Sequence, residues 1–228
     1  MVKTILFDID ETILDFKACE KKALAAALKD HGVSATDEMI SSYSSINDKM
    51  WKKLERKEIT RERLRIERFA EFFALYGIGA DPERFADSYM THLSQTGVFI
   101  KGARNVLKQL RRKFNLYAVT NGYIQTQRGR IEAAGLNKFF KDVFISEEIG
   151  NVKPEVAFFV KATAKIPNFD KSTCVLVGDS LTSDIKGGVA FGIRTIWISG
   201  GNPRPPEAAK PDFTIRKITE LPELIRLI

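Results

Sequence analysis

The chain opens MVKTILFDIDET, from Met1 to Thr12. Thr4-Ile5-Leu6-Phe7 is a short, almost continuous apolar run, the composition of a strand buried on both faces of a parallel sheet. Carboxylates follow at once, at Asp8 and Asp10, with a hydroxyl at Thr12. A buried strand that runs straight into a D-x-D-x-T turn delivers polar groups to the carboxyl edge of a sheet. Open parallel sheets bind their ligands at that edge.

Runs of the same kind recur along the chain: Leu116-Tyr117-Ala118-Val119, Val143-Phe144-Ile145, Cys174-Val175-Leu176-Val177 and Thr195-Ile196-Trp197-Ile198. Helical spacing lies between them, marked by Val106, Leu110 and Phe114 and again by Ala157, Val160 and Ala164. This alternation predicts an α/β fold with a doubly wound, Rossmann-like parallel sheet and helices on both faces. Residues 17–93 break the rhythm. They hold no convincing strand, and Met39, Tyr43, Ile46, Met50 and Leu54 fall three and four apart, as do Ile66, Phe69, Phe73 and Tyr76. That periodicity belongs to amphipathic helices. The expectation is an α-helical cap domain, 17–93, inserted into a catalytic core made of residues 1–16 and 94–228. The aromatic stripes at Trp51, Phe69, Phe72 and Phe73 read as the core of the insertion. Gly200 to Pro206 reads as a loop.

Composition agrees with a single globular chain. The sequence has 228 residues, of which 44% are hydrophobic and 29% charged. A disordered chain, a collagen and a disulfide scaffold are excluded. No apolar run approaches the roughly 18 residues of a membrane helix, and the N-terminus lacks the apolar stretch of a secretory signal. A cytoplasmic protein with no membrane partner is expected. Cys19 and Cys174 read as small apolar fillers, and with no CxxC and two separate histidines a zinc site is not expected. The net charge of +7 is spread out: residues 17–93 carry 14 Lys and Arg against 13 Asp and Glu, a net of +1, and the rest carries 22 against 16, a net of +6. No nucleic-acid motif accompanies it, so a polymeric nucleic-acid partner is not expected.

Four strand ends carry the chemistry. The first gives Asp8, Asp10 and Thr12, the second Thr120-Asn121-Gly122, the third Lys153-Pro154 a few residues on, and the fourth Gly178-Asp179-Ser180 with Asp184 beyond. Taken singly, each has a bland alternative: a turn for T-N-G, a solvated lysine before a helix for Lys153, a helix cap for Asp184. Taken as an ordered set, they do not. Buried charges without partners cost several kcal/mol each. A divalent cation among the carboxylates and an anion facing the lysine would offset that cost. Asp8, Asp10 and Asp179 form a hard, oxygen-only set that suits Mg²⁺. One carboxylate can attack an electrophile while its neighbour handles the proton of the leaving group. Thr120 and Lys153 would then neutralise phosphoryl oxygens, with N–H groups of the first loop assisting.

The motifs FDIDET, VTNG, Lys153-Pro154 and VGDSLTSD, in that order, resemble those of the haloacid dehalogenase superfamily. The resemblance implies a doubly wound core with a helical cap after the first strand. It implies Asp8 as nucleophile and Mg²⁺ ligand, and Asp10 as general acid and base whose main-chain carbonyl also ligates the metal. Asp8, Ile9, Asp10, Thr120, Asn121 and Lys153 would bind the phosphoryl group, Asp179 would complete the protein ligands, and Asp184 would support the metal from behind. True dehalogenases of this superfamily lack a carboxylate two residues after the nucleophile, so Asp10 favours phosphoryl transfer. The stretches INDKMWKKLERKEITRERLRIERF and TNGYIQTQRGRIEAAGLNKFFKDVFISEEIGNVKPEVAFF are similar to the pyrimidine-nucleotide 5'-nucleotidase branch. The function implied is an Mg²⁺-dependent phosphatase of small phosphorylated metabolites, nucleoside 5'-monophosphates foremost, working through an aspartyl-phosphate as a monomer or homodimer. A sugar phosphomutase, another phosphatase of the superfamily and a non-catalytic binding protein are the alternatives. Asp15, Phe16 and Trp51 stand as candidate substrate contacts in the cap or as its hinge and core. Arg128 and Arg130 would steer anions or lie in solvent.

Overall fold

A computed structural model describes residues 1–228. Six strands form one parallel sheet: β1 (Thr4–Phe7), β2 (Asn115–Thr120), β3 (Asp142–Ile145), β4 (Cys174–Gly178), β5 (Arg194–Ile198) and β6 (Phe213–Ile215). Their order is β3-β2-β1-β4-β5-β6. The chain therefore leaves β1 toward one edge, then returns to β4 on its other side and builds toward the opposite edge. β1 sits at the switch point, and a crevice opens beyond its carboxyl end. The register is tight there: Phe7 pairs with Ala118 on one side and with Val177 on the other.

Alternation along the strands sorts the core into two layers. Ile5, Phe7, Ala118, Val175 and Val177 face one side. There they pack under α5 (Ala103–Leu110), α6 (Ile124–Ala133) and α10 (Leu221–Leu227), which supply Val106, Leu107, Ile131, Leu221 and Ile225. Leu6, Tyr117, Val119 and Leu176 face the other side, against α7 (Ser146–Ile149), α8 (Val156–Thr163) and α9 (Lys186–Phe191). The sequence signal found α8 but chose its wrong face. Ala157 and Ala164 are exposed and Val160 is 51% exposed, while Phe158, Phe159 and Ala162 are buried. Two phenyl rings bury more apolar area than one valine and two methyls, so they set the face. The edge strand β6 had no sequence counterpart; three residues are too few for alternation to register. Gly200 to Pro206 is irregular, as read.

Four helices follow the first strand: α1 (Phe16–Asp30), α2 (Asp37–Glu55), α3 (Arg61–Tyr76) and α4 (Pro82–Ser94). Their starts are chemically marked, with Asp15, Thr36, Thr60 and Asp81 accepting from N–H groups of the first turns. They enclose a hydrophobic cluster of their own, with Tyr43 stacked on Phe69 at 5.2 Å and Phe69, Phe72, Phe73, Phe85 and Tyr89 around it. Of the four aromatics read as core, the three phenylalanines belong to it. Trp51 is half-buried and turns an edge to Tyr123 of the sheet side, 6.1 Å away. The two connections run side by side, with the Asp15 N–H donating to Val98 O and the Ile100 N–H to Ile13 O. No helix is long and apolar enough to cross a membrane.

Candidate active site

Beyond the carboxyl ends of β1, β2 and β4 lies a cavity of about 310 Å³, roofed by the inserted helices. Asp8, Asp10, Thr120, Asn121, Lys153, Asp179 and Asp184 all line it, so the four motifs converge. Lys153 is the centre. It is 1% exposed. Its ammonium donates to Asp8 Oδ1 at 2.5 Å, Asp184 Oδ1 at 2.7 Å and the Val119 carbonyl at 3.0 Å. The reading of a solvated lysine is thereby excluded. Burial alone would lower its pKa, but the Asp184 and Asp8 carboxylates more than offset that and hold it protonated.

One oxygen each from Asp8, Asp179 and Asp184 lies within 4.8 Å of the others. Thr12 donates to Asp179 Oδ1 at 3.3 Å, and Trp197 Nε1 anchors the Asp179 carbonyl at 2.7 Å. Asp184 stands on a wide helical turn, Leu181–Ile185, whose start is capped by Ser180. Its second oxygen accepts the Ser180 N–H at 3.2 Å. Gly178 makes this approach possible, since a Cβ there would meet Asp184 Oδ2 at 2.3 Å. Burial raises the Asp8 pKa well above the carboxylate range, with Lys153 opposing. Burial and the Asp184 charge push Asp179 up to about 8. Four carboxylates (Asp8, Asp10, Asp179, Asp184) thus face two buried cations, Lys153 and Arg130. The excess of two negative charges and the all-oxygen donor set fit a hard divalent cation.

A test follows from these pKa values. Asp8 and Asp179 hold their protons in the folded, metal-free protein over a range where an unfolded aspartate, with a pKa of about 3.9, is ionised. Folded pKa values raised this way give stability that is full below about pH 4 and is lost as pH climbs through about 8. A cation binds only the ionised form and restores that stability. At fixed Mg²⁺ the rise in Tm should therefore grow from about pH 5 to about pH 8.5. A rise independent of pH would contradict the reading.

The Asp10 side chain points elsewhere. Its Oδ1 pairs with Arg130 Nη1, and its Oδ2 accepts from Gln127 Nε2 at 2.9 Å. Gln127 also donates to Thr120 Oγ1 at 2.5 Å, which leaves the Thr120 proton free for another acceptor. Arg130 is 1% exposed and crosses the face of Phe16 at 5.3 Å. It neither steers nor sits in solvent. Arg128 does reach the surface, paired with Glu148. Gln127 was missed altogether. The available signal was its spacing from Arg130: three residues apart on a helix that starts just after β2, the two share one face. The Asn121 side chain is also engaged, donating to Lys153 O at 3.0 Å and accepting from Lys153 N at 2.9 Å. It locks two loops together. The main-chain N–H groups of Ile9, Asp10 and Asn121 have no acceptor within the protein. Phe16 and Trp51 line the cavity, whereas Asp15 caps α1 and lies at the connection.

The helical roof is tied down across the cavity. Arg61 donates to Gly122 O and Ser146 Oγ, both at 2.8 Å, Tyr123 donates back to Arg61 O, and Thr182 donates to Glu55 Oε2 at 2.9 Å.

Comparison with known proteins places these features in a family. The sequence pattern of the haloacid dehalogenase-like hydrolases matches residues 5–198. The HAD-hydrolase YfnB of Bacillus subtilis is 37% identical over 226 residues, 99% of this chain and 96% of that protein. Its magnesium-bound crystal structure superposes with a TM-score of 0.93 over 98% of both chains. The pyrimidine 5'-nucleotidase PynA of Streptococcus pneumoniae is 37% identical over 96% of this chain and 93% of its own length. The pyrimidine 5'-nucleotidase YjjG of Escherichia coli is 29% identical over 97% and 96%.

Proposed function

The chain belongs to the haloacid dehalogenase-like hydrolases and is a phosphoric monoester hydrolase, and from that footing we propose that it dephosphorylates pyrimidine nucleoside 5'-monophosphates with Mg²⁺ through an aspartyl-phosphate on Asp8. The observation that carries the reading is the Asp8–Lys153–Asp184 cluster at the switch point with Asp10 held two residues away. The likeness to the two pyrimidine 5'-nucleotidases supports the substrate class.

Asp8 and Asp179 would hold the metal, together with the Asp10 main-chain carbonyl, and Asp184, bonded to Lys153 and to the Ser180 N–H, would support it from behind. When bound, the ion offsets the excess negative charge and polarises the phosphoryl group. In the first step an Asp8 oxygen attacks phosphorus as the bond to the ester oxygen breaks. Asp10, enclosed by Arg130 and Gln127, delivers a proton to the departing alkoxide. Lys153, the Thr120 hydroxyl and the N–H groups of Ile9, Asp10 and Asn121 stabilise the charge on the transferred oxygens. In the second step Asp10, now ionised, takes a proton from water. The water oxygen attacks phosphorus, the acyl-phosphate bond breaks, and Asp8 returns as carboxylate with inorganic phosphate released. The roof keeps bulk water from the acyl-phosphate.

The direct test is phosphate release from UMP, from other nucleoside and sugar phosphates, and from an aryl phosphate. Mg²⁺-dependent release that EDTA stops is the expected result, with pyrimidine nucleotides the best substrates. No release from any ester would overturn the reading, and isomerised sugar phosphate without free phosphate would replace it with a mutase.

A further inference from the structure

Asp10 is gripped by both of its oxygens. Oδ1 accepts from Arg130 Nη1, and Oδ2 accepts from Gln127 Nε2 at 2.9 Å. The two holders are tied to each other, with Arg130 Nη1 donating to Gln127 Oε1 at 2.9 Å. This ring of contacts is closed, and it fixes the glutamine amide. Reversed, its oxygen would face a carboxylate and its amino group a guanidinium. A further bond, from Gln127 Nε2 to Thr120 Oγ1 at 2.5 Å, pins the ring to the end of β2. Gln127 and Arg130 are both buried, whereas the Asp10 side chain is 25% exposed and lines the cavity. The grip therefore comes from the buried side. A carboxylate offers about four lone-pair sites, and the ring uses only two of them.

The helix that carries the two holders is closely seated. Gly122, in the turn before α6, leaves room for Gln127, since a Cβ there would lie 2.6 Å from Gln127 Cγ. Gly129 lets α6 close on α4, where a Cβ would meet Ser94 at 2.7 Å. Phe16 of α1 covers the Arg130 guanidinium at 5.3 Å. α6 is thus held between the sheet and the roof, and the two side chains it sends to Asp10 share one face, three residues apart. A site built on such an element is placed more precisely than one on a free loop. Without the ring, an aspartate on a turn would sample several rotamers. A misplacement of about 1 Å can lower a rate by about 10²-fold.

From this geometry we infer that Gln127 and Arg130 are positioning residues that act through Asp10, holding its carboxylate in one orientation for proton exchange with the leaving oxygen and then with water. The inference rests on the reading of Asp10 as acid and base. Neither holder is required to touch the substrate. Arg130 supplies charge as well as direction, whereas Gln127 is neutral and supplies direction alone. Loss of Gln127 is therefore the sharper probe of orientation.

The experiment is a double-mutant cycle on an aryl phosphate, whose outcome does not depend on which nucleotide the enzyme prefers. Gln127→Leu and Arg130→Met are each placed in the unaltered chain and in Asp10→Asn. In the unaltered chain Gln127→Leu should lower kcat by about 10- to 100-fold, with KM unchanged or lower. In the Asp10→Asn background the same substitution should change kcat by less than about twofold, because no acid or base is left to orient. Arg130→Met should show the same pattern. Gln127→Leu removes no charge and keeps the test decisive should the arginine variant fail to fold. Equal falls in both backgrounds, the mark of action through Thr120 or through the fold, would overturn the inference and leave the role of Asp10 standing. A normal kcat in Gln127→Leu would overturn it as well. A normal kcat in Asp10→Asn alone would remove the acid–base reading, and the inference with it.

Discussion

Asp8→Asn should yield a folded protein whose kcat/KM on its best substrate falls by about 10⁴-fold or more, a loss of about 5.5 kcal/mol of transition-state stabilisation. The amide cannot displace an alkoxide from phosphorus, yet it keeps the shape of the side chain. Its carbonyl oxygen can still accept from Lys153, which sits 2.5 Å from Asp8 Oδ1. Stability should move the other way. Burial and neighbouring carboxylates make the ionised Asp8 costly in the metal-free protein. The asparagine amide carries no charge to desolvate, so Tm in EDTA should be equal to or above that of the unaltered protein. Calorimetry with a phosphate-release assay separates the two effects. Residual activity within about tenfold of normal would dismiss Asp8 as nucleophile.

Lys153→Met should damage both properties at once. Its ammonium bonds to two buried carboxylates, Asp8 and Asp184, and to one carbonyl. Removing one partner of a buried ion pair costs about 3–5 kcal/mol, because the other charge is left uncompensated. Protonation of Asp8, whose pKa burial already raises, is the remaining route toward neutrality. The loss of stability in EDTA should therefore be larger at about pH 8 than at about pH 5, where a carboxylate of raised pKa holds its proton more readily. Mg²⁺ should recover part of the loss at the higher pH. Activity should fall by about 10²–10³-fold even with metal, the usual effect of deleting a single donor to a developing oxyanion. A Tm within about 2 °C of normal in EDTA at both pH values would show that the lysine is not the counter-charge described here.

Much of this is legible in the sequence alone. β1, β2 and β4 announce themselves because a parallel strand buried on both faces must be apolar throughout, and the polar residues that end each run then mark the sheet edge. The helical insertion was legible for the complementary reason: from Met39 to Leu54 and again from Ile66 to Tyr76, apolar residues fall at intervals of three and four. What sequence could not supply was pairing at a distance. Arg130 meets Asp10 across 120 positions of chain, and its type alone suggested a surface charge. Gln127 has no chemistry of its own to announce it. The wrong face of α8 has a plainer cause: periodicity counts apolar positions, whereas packing weighs their area.

The central claim is that the Asp8 carboxylate carries the phosphoryl group. Asp10→Asn offers the cleanest view of it, because an aryl phosphate with a good leaving group needs no general acid for the first step, while the second step loses its base. Mixing that variant with Mg²⁺ and a phosphate-labelled aryl ester, quenching in acid and mapping the peptides should place the label on the peptide containing Asp8, and borohydride should convert that residue to homoserine. Release of the aryl alcohol in a burst with no label on any peptide, or with label on a residue other than Asp8, would contradict the account.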